Sequence, residues 1–161
     1  MRIVGSVLDF QTNAAIGGAH VTIGNTTATT DAAGMYSMTV PTGEQSVSID
    51  DESIGFVELK GRTYRGDFYV HAAGCIARYG TVVDSQTRRP VSSAAVSVGG
   101  VAGTTDQAGW FALKLGCPGA SCIGFNTTFL SITHPNYVSG SFVAGRGVCG
   151  VRRVDYELVR R

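Results

Sequence analysis

Apolar residues alternate with small or polar ones in short runs along the whole chain. AHVTIG (residues 19–24) and AAVSVG (94–99) place Val and Ile at every second position, the period of a half-buried strand. In GMYSMTV (34–40) the residues Tyr36, Met38 and Val40 share one face, as Phe111, Leu113 and Leu115 do in GWFALKL (109–115). GSVLD and GTVVD read as first strands, QSVSID and TTFLSITH as middle strands, IGFVELK and YVSGSFV as weaker ones, and DFYVHA and VDYELVR as closing strands. Turn residues punctuate these runs and no segment carries a helical period. The pattern predicts an all-β chain of two tandem Greek-key sandwiches, each of about seven short strands.

The runs come in pairs because the chain repeats itself. Residues 4–40 align without a gap on 79–115, with 13 of 37 positions identical. Identities include Gly5/Gly80, Asp9/Asp84, Ala19/Ala94, Val21/Val96, Asp31/Asp106 and Gly34/Gly109. A solenoid needs three or more copies, so two copies of this size predict tandem domains, 1–73 and 74–161. The phrase TTDAAG (29–34) returns as TTDQAG (104–109). An Asp three residues before a Gly between strands is turn chemistry, so Asp31, Gly34, Asp106 and Gly109 are expected to be structural turn residues. One carboxylate per turn falls far short of a calcium site.

Composition alters the picture in three respects. Net charge is only +1, which argues against nucleic acid as a partner, and no apolar run is long enough to span a bilayer. That sum conceals a split. Residues 1–74 hold eight acids and four bases, net −4, and residues 75–161 hold four acids and nine bases, net +5. All four cysteines, Cys75, Cys117, Cys122 and Cys149, fall in the second half; disulfides suit them better than zinc, because no His stands at finger spacing. Disulfides imply an oxidising compartment. The opening MRIVGSVLDF nevertheless lacks the apolar stretch and cleavage site of a secretory signal, so the expectation is a processed or trimmed chain or reduced thiols.

Each half resembles the carboxypeptidase regulatory-like family. Its G-x-V-x-D-x-x-T opening is matched by Gly5–Thr12 and Gly80–Thr87, its proline or aliphatic before A-x-V by Ile16–Val21 and Pro90–Val96, and its T-T-D-x-x-G-x-[FY] by Thr29–Tyr36 and Thr104–Phe111. The resemblance implies the immunoglobulin-like sandwich of transthyretin (prealbumin) and of collagen-adhesin B-type repeats, with seven strands and a non-catalytic role. In that fold the first and last strands lie side by side and parallel, which implies the pairs Cys75–Cys149 and Cys117–Cys122. Adhesin relatives often carry a Lys–Asn isopeptide bond. Neither Lys60 nor Lys114 lies in a first strand, so none is expected here.

Candidate chemistry is sparse. His20, His71 and His134 form no catalytic spacing, Tyr64-Arg65-Gly66-Asp67 only loosely resembles the end of a hydrolytic transthyretin relative, and no enzyme or cofactor is expected. Arg65-Gly66-Asp67 is also an integrin-type tripeptide, which here is expected simply to lead into a strand. Asn25 and Asn126 head N-x-Thr sequons that admit N-linked glycans. Trp110, out of phase with Phe111, should face away from the core as Met35 does in the first half, either as a sugar platform or interface anchor or beneath a neighbouring loop.

Asp50, Asp51 and Glu52 form an acidic turn, and Arg152, Arg153, Arg160 and Arg161 make the far end basic. Opposite charge on the two halves favours contact between unlike halves of neighbouring molecules, which is heterologous and gives filaments unless the rotation permits a ring. The expectation is a non-enzymatic extracellular subunit that polymerises head to tail into a filament or surface appendage. The alternative is a carbohydrate- or protein-binding accessory module of a larger secreted protein.

Overall fold

The computed structural model describes residues 1–50, 52–60, 63–70, 76–116, 129–143 and 151–161. The chain divides into two compact units, Met1–Ala72 and Ala73–Arg161. Among the described residues the only regular elements are strands.

Unit 1 holds β1 (Arg2–Asp9), β2 (His20–Ile23), β3 (Thr26–Thr29), β4 (Met35–Thr39), β5 (Gly43–Ile49), β6 (Glu52–Leu59), β7 (Thr63–Arg65) and β8 (Phe68–Val70). One sheet runs β4-β1-β7 with β8 also on β1, and the other runs β3-β2-β5-β6. Both β7 and β8 lie parallel to β1, so they are two pieces of one last strand beside the first. The inward residues of both sheets meet in a single core. Ile3 and Val7 of β1, Tyr36 and Met38 of β4 and Phe68 of β8 pack with Val21, Ile23, Val47, Ile49, Val57 and Leu59 of the facing sheet.

Unit 2 repeats the plan. Its strands are β9 (Ile76–Asp84), β10 (Ala95–Val98), β11 (Val101–Thr104), β12 (Trp110–Gly116), β13 (Phe129–Thr133), β14 (Gly140–Val143), β15 (Val151–Arg153) and β16 (Tyr156–Leu158). The sheets are β12-β9-β15, with β16 on β9, and β11-β10-β13-β14. Val82, Val96, Val98, Phe111, Leu113, Leu130, Ile132, Tyr156 and Leu158 make the core.

Alternation along the chain predicts these faces well: Tyr36, Met38, Val40, Phe111 and Leu113 are all buried. The sequence pattern does not reveal β3 and β11. Neither places an apolar stripe inward, and both alternate only between half-buried and exposed. They are strands because tight two-residue turns fold them back on β2 and β10, with Gly24 at φ 58° in one turn and Gly99 and Gly100 at 56° and 83° in the other.

Candidate functional site

Three polar devices recur in both units. The first is the repeated turn. Asp31 Oδ1 accepts the N–H groups of Ala33 and Met35, each at 2.9 Å, and Asp106 Oδ1 accepts those of Ala108 and Trp110, each at 2.8 Å. Gly34 and Gly109, both at φ 71°, supply the left-handed step that brings the chain back. The threonine before each Asp is buried. Thr30 Oγ1 donates to the Ile16 carbonyl and accepts from the Ala19 N–H, and Thr105 does the same with Val91 and Ala94. Thr105→Val would leave both backbone groups of unit 2 unpaired and should lower its stability by about 1–3 kcal/mol. Thr105→Ser, which keeps the hydroxyl, should lose less. Urea unfolding followed by Trp110 emission measures both, and equal losses would remove the hydroxyl from the account.

The second device is the turn after the first strand. Asp9 Oδ1 accepts the Gln11 and Thr12 N–H groups at 3.0 and 2.8 Å, and Asp84 Oδ1 those of Gln86 and Thr87 at 3.0 and 2.7 Å.

The third breaks the last strand in two. Asp67 Oδ1 accepts both the N–H and the hydroxyl of Ser6, at 2.8 and 3.0 Å, and Asp155 Oδ1 accepts both from Thr81, each at 2.8 Å. Each carboxylate also pairs with the arginine two residues earlier, Arg65 or Arg153. Arg65-Gly66-Asp67 therefore has a counterpart in Arg153-Val154-Asp155, and its Asp side chain, 17 % exposed, is committed to the first strand. A tripeptide offered to a receptor needs that carboxylate free. The strand is cut because the carboxylate takes over backbone donors that a straight ladder would pair with carbonyls, and among the described residues eight strand pieces per unit result where seven are expected.

Unit 2 holds a fourth arrangement around Asp84. Asp84 is almost wholly buried, and its Oδ2 accepts the Tyr137 hydroxyl at 3.0 Å and Arg160 Nε at 2.7 Å. The Arg160 guanidinium lies 5.7 Å above the Tyr137 ring. Donation from the Thr87 N–H, and next from Arg160, holds the Asp84 carboxyl below the ordinary carboxylate range, while the Asp84 hydrogen bond pushes Arg160 up. Backbone bonds brace the same spot: Tyr137 bridges Arg160, and the Val138 N–H donates to the Val159 carbonyl at 2.9 Å.

The other expected site residues scatter. Trp110 points off the core and is half-buried, with the Tyr79 ring 5.6 Å away and the Arg153 guanidinium 5.2 Å above the indole. Two side chains on its own sheet face cover it in part, where a loop was the expected cover. Met35, its counterpart, is 43 % exposed. Arg153, expected at a free basic surface, is instead 5 % exposed, because its guanidinium caps the indole and pairs with Asp155. Arg160 is pinned to Asp84, whereas Arg161 is exposed.

Asp50, at φ 47° in the β5–β6 turn, accepts the His20 N–H at 2.8 Å and meets His20 Nδ1 at 3.3 Å. Asn25 is exposed in the β2–β3 turn. Asp51, the four cysteines Cys75, Cys117, Cys122 and Cys149, and Asn126 lie outside the described residues, as do the side chains of Glu52 and Arg152.

Sequence inspection missed Arg78 and Tyr156, which stand where unit 1 has Ile3 and Phe68. Arg78 is buried on the core face and donates to the Ala77 carbonyl at 2.7 Å, and desolvation pushes the buried Tyr156 hydroxyl up. No group of three or more His, Cys, Asp or Glu among the described residues is placed to hold a metal. No helix among them is long and apolar enough to cross a membrane.

No protein-family model matches the chain, and no curated protein matches it. Among solved structures, the chain is similar to the Bacillus anthracis TIE protein at 17 % identity and TM-score 0.38, over 99 % of this chain and 34 % of that one. The shaft pilin SpaA from Lactobacillus rhamnosus GG matches at 12 % identity and TM-score 0.34, over 99 % and 96 % of the two chains. The streptococcal ancillary pilin matches at 14 % and 0.34, over 100 % and 62 %. The chain thus spans about a third of the TIE protein.

Proposed function

We propose that the chain is a non-enzymatic structural subunit of an extracellular or cell-surface assembly. In this reading residues 1–73 and 74–161 are tandem Greek-key, immunoglobulin-like sandwiches of the carboxypeptidase regulatory-like type, and copies join head to tail. One observation carries the reading. The same internal bonds, at the same turns and the same strand break, are built in both units, while their net charges diverge to −4 and +5. Selection for one fold explains the first half of that sentence. Opposite charge on two copies of one scaffold is explained by contact between them in different molecules. Such a contact joins unlike surfaces and, unless its rotation closes a ring, extends into a filament.

The polar groups that recur act within the fold, which supports a scaffold more than a reaction centre. The sugar-platform alternative is weakened at Trp110, where Arg153 already occupies one face of the indole. Negative-stain images and sedimentation of the purified chain test the proposal. Filaments or concentration-dependent oligomers should form at low salt and dissociate at roughly 0.5 M salt, where screening shortens the Debye length to about 4 Å. Monomers throughout would overturn it.

A further inference from the structure

Burial accounts for nearly all the large apolar side chains among the described residues, and five remain exposed: Met35, Phe56, Phe129, Val138 and Val159. Two of the five are neighbours. Tyr137 pairs with Arg160 in an antiparallel bridge and the Val138 N–H donates to the Val159 carbonyl, so Val138 and Val159 stand opposite each other, 52 % and 55 % exposed. Opposed side chains of an antiparallel pair share a face. The Arg161 N–H donates to the Asn136 carbonyl at 3.2 Å, which sets Arg161 on the same face next along this ladder, while Arg160 turns to the opposite face toward Asp84. The ladder thus sets an apolar pair in water beside one exposed arginine, Arg161.

Unit 1 presents the complementary combination. Phe56, 68 % exposed, stands on β6, an edge strand of its sheet. Two residues along the same face is Glu58, and the register places Glu44 directly opposite Glu58. Like charges directly opposed destabilise a sheet. Lys60 relieves the pair only in part, through Glu58 at 2.9 Å. A basic partner would remove that repulsion and cover the ring in the same step.

We propose that the Val138–Val159 face of one molecule docks on the Phe56 face of a second copy of this chain, with Arg161 set against Glu44 and Glu58. This rests on the assembly reading above and supplies its contact. The apolar centre is small, so a single contact is weak and the assembly is sensitive to concentration and salt.

Complementation tests it. Phe56→Ser and the double variant Val138→Ser/Val159→Ser change only well-exposed side chains, so urea unfolding should match the parent chain. In sedimentation velocity at low salt the parent should form a ladder of oligomers. Each variant alone should remain monomeric. An equimolar mixture of the two variants should form dimers and nothing longer, because each then retains one intact and opposite face. Variants that assemble like the parent would place the contact elsewhere and leave the assembly reading standing. Loss of assembly in the double variant but not in Phe56→Ser would overturn this pairing, with the valine face serving another acidic partner. A parent chain that is monomeric throughout would sink the contact and the assembly reading together.

Discussion

Gly80→Ala should strongly destabilise unit 2, and Gly5→Ala should do the same to unit 1. Where the last strand breaks at Gly66 and at Val154, its backbone crosses immediately over these glycines. A Cβ on Gly80 would sit 2.7 Å from the Val154 carbonyl carbon and one on Gly5 would sit 2.8 Å from Gly66 Cα, with still closer approaches to both carbonyl groups. The obstacle is main chain held in place from both sides. The Gly66 N–H donates to Val4 and the Val154 N–H to Tyr79, while Asp67 and Asp155 bind the residues after the glycines. Tyr36 adds a bond from its hydroxyl to the Gly66 carbonyl at 2.6 Å.

Overpacking that flexible side chains can absorb costs about 1–3 kcal/mol, and a clash with fixed backbone belongs at or beyond the top of that range. Against a total of about 5–15 kcal/mol, such a loss removes much of a domain's margin. Trp110 is the sole tryptophan and lies in unit 2, so its emission reports Gly80→Ala directly, and amide exchange reports Gly5→Ala. Substitution by Ala with stability retained would mean that the strand break opens without cost, against the close approach described above.

How much of this was legible beforehand depends on distance along the chain. The paired glycines, the Asp turns and the inward faces of β1, β2 and β4 are local patterns, and a fixed offset of 75 exposes their copies. The strand break was hidden because it lies beyond the point where that offset fails. Arg65 and Asp67 correspond to Arg153 and Asp155 at an offset of 88, since unit 2 has gained thirteen residues in between. Compared at 88, RGDFYV and RVDYEL show the same Arg-x-Asp and the same inward aromatic, so the tripeptide that looked like a receptor motif is recognisable as scaffold. The thin strands β3 and β11 carry no inward stripe, and the sequence pattern does not reveal them.

Charge was legible in sum and illegible in detail. The −4 and +5 totals follow from composition, but which arginines are free to meet a partner depends on pairings across the fold. Arg153 is buried against Trp110 and Asp155, whereas Arg161 remains exposed. Nothing in the sequence singles out Val138 and Val159 either, because twenty residues separate them and only the bridge at Tyr137 and Arg160 brings them together.

Acid should destabilise unit 2 through Asp84. In the unfolded chain an aspartate titrates near pH 4, about its model value. In the folded unit the Thr87 N–H, Arg160 and the Tyr137 hydroxyl keep this carboxyl ionised to far lower pH. A depressed folded value means that the unfolded chain takes up the proton first. The resulting stabilisation is complete above about pH 4 and is lost progressively as the pH falls below it.

Urea midpoints from Trp110 emission between neutral pH and pH 2 should therefore drop on the acid side. Asp84→Asn should be less stable at pH 7, because Arg160 then has no anion to face, and its midpoint should vary less below pH 4. The other acids of unit 2 are common to both proteins, so the difference between the two curves isolates Asp84. Parallel acid limbs would show that Asp84 and Arg160 do not act as a pair. If the limbs diverge as expected, the strand end that carries Val159 and Arg161 is held by a charge whose strength is set by pH. Acid should then loosen the proposed docking face before it unfolds the unit around it.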